Sequence, residues 1–168
     1  MNDPDVCRRC ALESPTCCRH AAGEERFCFP LPEAEYQALR AVGVPESAFA
    51  EEPNAAAFNT HLARLFPGAP VEAAFPAHGT HRRLATQDGT CTLLTPQGCT
   101  LPRAVRPLFC RIYPLWSIHG RLTAFENPTC VAVREAPTPM ALCRLLGTDA
   151  QRVRAHVHTL RAMLFAEE

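Results

Sequence analysis

The chain has 168 residues, 47% of them hydrophobic and 20% charged, with a formal net charge of zero. Those values fit one ordinary globular domain with a core of its own. They exclude the strong basic or acidic balance that would draw a chain to nucleic acid or to an anionic membrane. All 17 basic residues are Arg and none is Lys, which beside the many Ala and Pro points to a GC-rich bacterial genome. The first residues, M-N-D-P-D-V-C, show no basic region followed by an apolar run, and no apolar stretch reaches the length of a membrane span. The expectation is a cytoplasmic protein.

Residues 1–20 hold four Cys and two Pro with little periodicity, and read as an irregular loop ordered by bound metal. R-F-C-F-P (26–30) alternates as a short strand. A helix is expected from Pro32 to Val42, with Glu33 and Glu35 in its first turn, Gly43 past its end, and Tyr36, Leu39 and Val42 at helical spacing. Asn54 reads as the N-cap of a second helix reaching Phe66, stopped by Pro67-Gly68. The Pro- and Gly-rich stretch 67–80 reads as loop.

Residues 81–94 read as one hairpin turning at Asp88-Gly89, and a second turn at Pro96-Gln97-Gly98 delivers Cys99. A short helix is expected over 103–112, then a hairpin with His119-Gly120 at its tip. The C-terminal third reads as helix from Thr138 to Leu146, ended by Gly147. A last helix, capped at Thr148-Asp149 and running to Phe165, puts Val153, Val157, Leu160 and Leu164 on one face. The expected fold is a small single α+β domain over 1–168, with short β-hairpins and several helices organised around a Cys-rich metal cluster. Its metal core spans about 7–130, and a C-terminal helical extension covers about 138–166.

The cysteines carry the chemistry. Eight of the ten fall into two groups: Cys7, Cys10, Cys17 and Cys18, then Cys91, Cys99, Cys110 and Cys130. In a reducing cytosol such density reads as metal binding rather than disulfides. Two Cys in C-x-x-C on a tight turn can chelate one ion, and tetrahedral zinc then needs two more ligands from elsewhere. The partners come in sequence pairs, 7/10, 17/18, 91/99 and 110/130, and adjacent Cys17 and Cys18 suit two different ions or a dinuclear cluster. Thiolates select zinc, Cu(I) or iron–sulfur chemistry. Thiols must ionise to ligate, so eight of them with two divalent ions would bring the loaded protein to a net charge of about −4.

Cys28 and Cys143 read as core residues. His20 is a candidate replacement for a sulfur ligand, His78 and His81 read as solvated, and His156 and His158 face different sides of a helix. Arg8, Arg9, Arg19, Arg103, Arg106 and Arg111 surround the cysteines and can offset thiolate charge or donate hydrogen bonds to sulfur. No Walker-type phosphate loop, G-x-G-x-x-G or nucleophile elbow is present, so no catalytic residue is named.

Cys7, Cys10, Cys17 and Cys18, the middle pair Cys91 and Cys99, the segment Arg106-Pro107-x-x-Cys110-Arg111 and the last Cys130 together resemble the YkgJ-type cysteine-cluster family. That family is described as zinc- or iron-chelating and is named for a CxxCxxxxCC motif. The resemblance covers roughly residues 7–130. It departs at the first loop, where six residues separate Cys10 from Cys17 and the motif has four. It implies chelation by those eight cysteines, with zinc in one or two sites, or iron or an iron–sulfur cluster as the alternative. A similar cysteine domain occurs in flagellin lysine methylases, so one alternative is an iron–sulfur enzyme or enzyme partner in protein modification. The other is a zinc-stabilised module for binding protein or nucleic acid, although no basic–aromatic surface pattern favours nucleic acid. A metal ion is the expected partner, and no membrane is.

Overall fold

The computed structural model describes residues 5–13, 18–20, 24 and 28–165. The fold is α+β, with helices and short antiparallel strand pairs. Chain contacts group it into two compact units, each discontinuous in sequence. The first comprises residues 1–19 and 93–158, the second residues 20–92 and 159–168.

The first unit opens with helix α1 (Val6–Leu12), where sequence periodicity predicts loop. Seven residues are too few to hold a helix alone. What sustains α1 is the burial of Val6, Cys10 and Ala11 on one side. That side packs against α6 (Val131–Glu135), a five-residue helix between Pro128 and Pro137 that periodicity also misses. Two short strands, β5 (Leu94–Thr95) and β6 (Gly98–Cys99), meet across the expected turn at Pro96-Gln97. After a 3₁₀ turn over Arg103–Val105 comes α5 (Leu108–Ile112), which Pro107 starts because its fixed φ suits a helix entrance.

Strands β7 (Leu115–Ile118) and β8 (Arg121–Ala124) form the expected hairpin around His119-Gly120. Both tip residues have positive φ, as a tight two-residue turn demands. Helix α7 (Pro139–Leu145) begins where the Thr138 hydroxyl accepts the Ala141 N–H. Helix α8 (Ala150–Phe165) begins where Asp149 accepts the Arg152 N–H; its residues up to 158 belong to this unit, with Val153 fully buried, and those from 159 on, with Leu160 fully buried, belong to the second. Leu115, Val131, Leu142, Cys143 and Val153 form the core of this unit.

The second unit holds α2 (Glu33–Ala41), β1 (Phe49–Pro53), α3 (Ala56–Leu65), α4 (Val71–Ala74), β2 (Thr80–Leu84), β3 (Thr86–Gln87) and β4 (Thr90–Cys91). Helix α2 matches the pattern and closes through Gly43 N–H to the Arg40 carbonyl and Val44 N–H to that of Leu39. Leu39 is buried, but Val42 is 57% exposed at the frayed end of the expected stripe.

Residues 81–94 do not make one hairpin. The turn at Asp88-Gly89 joins only β3 to β4, while β2 pairs with β1 in the register Glu51↔Arg82. Ion pairs accompany that pairing. Arg83 pairs with Glu52 at 2.9 Å, and Arg82 pairs with Glu33 at 2.6 Å and Glu51 at 3.3 Å while lying over the Tyr36 ring. Gly89 is required at its turn: its φ is +73°, and a Cβ there would stand 2.2 Å from the His20 carbonyl oxygen.

Three further expectations are corrected in this unit. The stretch 67–80 contains α4, whose Val71 is buried. Cys28 to Pro30 is not a strand, and residues 26 and 27 lie outside the described residues. Asn54 does not cap α3. Its Nδ2 donates to the Pro76 carbonyl instead, and its Oδ1 meets His81 Nδ1 at 2.9 Å. Aromatic rings fill the core here: Phe58 meets Phe75 edge-on, and Phe66 meets Phe165 edge-on.

Candidate metal centre

Cys7 and Cys10 both lie on α1, so the C-x-x-C segment is a helix turn rather than the tight loop expected from spacing. Residues three apart still share one side of a helix. Cys10 is 6% exposed and turned into the core, whereas Cys7 is exposed at its edge. Cys130, 5% exposed, stands at the entrance to α6, and the Val131 N–H that follows it reaches the Cys10 sulfur. Cys18, half-buried, is close enough to interact electrostatically with Cys10. Cys7 interacts in the same way with both Cys10 and Cys130. Cys130, distant in sequence, is therefore brought to the N-terminal group Cys7, Cys10 and Cys18 at the contact of α1 with α6.

Two ion pairs clasp that contact. Arg9 makes a two-pronged bond to Glu135, at 2.8 and 2.9 Å, and Arg134 reaches back from α6 to Glu13 just after α1. On the other flank α1 packs on β6, where Gly98 approaches the Arg8 backbone with φ +104°. This brings Cys99, half-buried on β6, to the side of α1.

The remaining candidates are placed as follows. Cys110 is exposed on α5. Cys91 is half-buried on β4 of the second unit. Cys17 lies outside the described residues. His20 belongs to the second unit, where its N–H donates to the Gly89 carbonyl at 2.7 Å. Cys143 is in the core, as expected; Cys28 is half-buried in a bend. None of the nine described cysteines is in a disulfide. Among the described residues, no three His, Cys, Asp or Glu side chains come together closely enough to hold an ion.

The electrostatics around the thiols are mixed. Burial pushes the Cys10 thiol up, and the Val131 N–H pulls it back toward the thiolate. Surrounding protein also pushes Cys7 up, while the guanidiniums of Arg103 and Arg106 pull it down. In kind the donors suit a soft metal: gathered thiols, an N–H aimed at sulfur and nearby cations. Glu13, Arg134 and Glu135 escape a sequence reading. Arg9 and Glu135 are 126 residues apart, and no local pattern links them.

His78 is exposed, as expected, but His81 is not solvated. It is 5% exposed and stacks on Phe58 with ring centroids 3.8 Å apart. Its Nδ1 must carry the proton, because the Asn54 amide is oriented by its bond to Pro76 and presents oxygen to the ring. Burial lowers its pKa to about 4. No family model matches the chain, nor does any curated protein or solved structure.

Proposed function

We propose that the chain is a metal-binding protein of the YkgJ type that holds zinc in one or two thiolate sites, in a structural or chelating role. The observation that carries this reading is the gathering of Cys7, Cys10, Cys18 and Cys130 around the α1–α6 contact, since more than a hundred residues separate the two helices. Those four would make the first site, with Cys17 beside Cys18 and Cys99 beside α1 as further donors. Cys110 on α5 is a further donor of the same unit, and Cys91 is a donor of the second unit. Bound zinc would supply folding free energy and, with all positions filled by thiolate, no redox chemistry.

In this reading the chain's own groups prepare the sulfurs. The Val131 N–H steadies Cys10 as a thiolate, Arg103 and Arg106 favour ionised Cys7, and the Arg9–Glu135 and Arg134–Glu13 pairs hold α1 against α6. The test is a titration of the reduced, metal-free protein with Co²⁺ under anaerobic conditions. The reading expects thiolate-to-cobalt absorption saturating at one or two equivalents and lost in Cys10→Ser/Cys130→Ser. Saturation without that absorption, or an unchanged spectrum in the variant, would sink it.

A further inference from the structure

The arginines of the first unit differ in burial and in partner. Arg9, Arg134 and Arg152 each pair with a carboxylate, as do Arg40, Arg82 and Arg83 in the second unit. Arg103, Arg106 and Arg111 have no carboxylate partner among the described residues, although all three are half-buried. They share one short segment. Arg106 Nε donates to the Leu101 carbonyl at 2.9 Å, and Arg103 Nη2 donates to the Arg111 carbonyl at 3.3 Å, so the loop over 101–111 is tied by its own guanidiniums. Pro102 and Pro107 fix φ at both bends.

Each guanidinium has five N–H donors, and bonds to described residues use one on Arg103 and one on Arg106. Arg111 Nε is buried and has no acceptor among the described residues, a condition that costs free energy unless something supplies one. Three half-buried like charges with no carboxylate partner among the described residues raise that cost. Arg103 and Arg106 act on Cys7, which is exposed, and the Arg111 charge acts on His156 of α8.

We propose that Arg103, Arg106 and Arg111 form an oxyanion-binding subsite on the 101–111 loop, which takes the phosphate or carboxylate group of an anionic ligand. A planar guanidinium presents paired donors that match either group, and the rigid loop holds them ready. The subsite stands independently of the metal reading. The rival account of these arginines is that they serve only as countercharge to the thiolates.

The test is calorimetric titration of the full chain with inorganic phosphate and, separately, with acetate, at low ionic strength. Both metal-free and zinc-loaded protein are used, and zinc content is measured alongside. The comparison variants are Arg103→Gln/Arg106→Gln and, removing two charges elsewhere, Arg121→Gln/Arg154→Gln. Saturable binding that weakens at least tenfold in the first variant and less than twofold in the second is the expected result. An Arg103→Lys/Arg106→Lys variant, which keeps charge and loses the fork, should weaken binding by an intermediate factor. Tighter binding of phosphate than acetate assigns a tetrahedral anion, and the reverse a carboxylate. No saturable binding to the wild-type chain, or equal weakening in the two Gln variants, overturns the proposal. Zinc bound normally without any anion binding leaves the metal reading intact and removes the subsite alone. Anion binding to a chain that takes no zinc does the opposite.

Discussion

Cys10 and Cys143 are both buried in the core of the first unit, yet their surroundings differ in a way that mutation can read. Cys10 has Cys130 and Cys18 in its field and an N–H directed at its sulfur. Cys143 has no other cysteine among the groups that shift it: burial first, then Asp149, push its thiol up. Cys10→Ser should therefore lose at least one bound ion, whereas Cys143→Ala should keep full metal content and cost roughly 1 kcal/mol of stability through lost packing. Metal loss in Cys143→Ala, measured by elemental analysis, would contradict this division. His81 provides a pH signature of the second unit. Its folded pKa, about 4, lies below the ordinary 6.5, so between those values the unfolded chain takes up the proton more readily. This contribution to stability is complete above pH 6.5, falls as pH drops through the window, and is gone below pH 4. The difference corresponds to about 3 kcal/mol. Denaturant unfolding at pH 7 and pH 4.5 should show a loss that is smaller in His81→Phe, which can still stack on Phe58. An identical loss in both proteins would refute the assignment. The burial of His81 was not legible in the sequence, because it depends on Phe58 and Asn54, both more than twenty residues away.

Elements whose reasons are local were legible, and those held by distant partners were not. The turns at Asp88-Gly89, Pro96-Gln97 and His119-Gly120 are set by residues that tolerate positive φ or fix it, and α2, α7 and α8 carry their own caps or stops. Helix α1, helix α6 and strand β1 are different. F-A-E-E-P has little strand character until Arg82 and Arg83 stand opposite, and α1 gains its order from α6. This dependence makes α1 the element to watch on metal removal. Chelation should reduce amide hydrogen-exchange protection in α1 and α6 by at least tenfold and leave α2 and α3 within twofold, because only the first pair is joined through the proposed thiolate site. Equal protection of α1 before and after complete metal removal would count against that site. The clasp itself is half-exposed, and such pairs contribute about 0.5 kcal/mol each. A double-mutant cycle on Arg9 and Glu135 should return a coupling of that size. A coupling several times larger would mean that the pair does more than hold two helices.

At the scale of the whole molecule, the α+β class was legible in the sequence, and the cysteine spacing raised the expectation of a thiol-based centre. The arrangement of those cysteines was not legible. Spacing suggested a C-x-x-C loop, whereas Cys7 and Cys10 ride on a helix that meets Cys130 only after the chain has passed through the second unit and back. The distribution of arginine partners was equally hidden, since pairing with Glu135 or Glu13 follows from tertiary contact. Sequence offered six arginines as one group around the cysteines, and the structure separates Arg9, spent on a carboxylate, from Arg103, Arg106 and Arg111. Among the described residues no helix is long and apolar enough to cross a membrane, as composition led one to expect. The central claim, that clustered thiolates hold metal, is tested most directly by elemental analysis of the chain purified without oxygen and without chelator. The account predicts one or two zinc ions per chain, with at least one lost when both Cys10 and Cys130 are replaced by serine. A wild-type protein that is folded and free of both zinc and iron would contradict it.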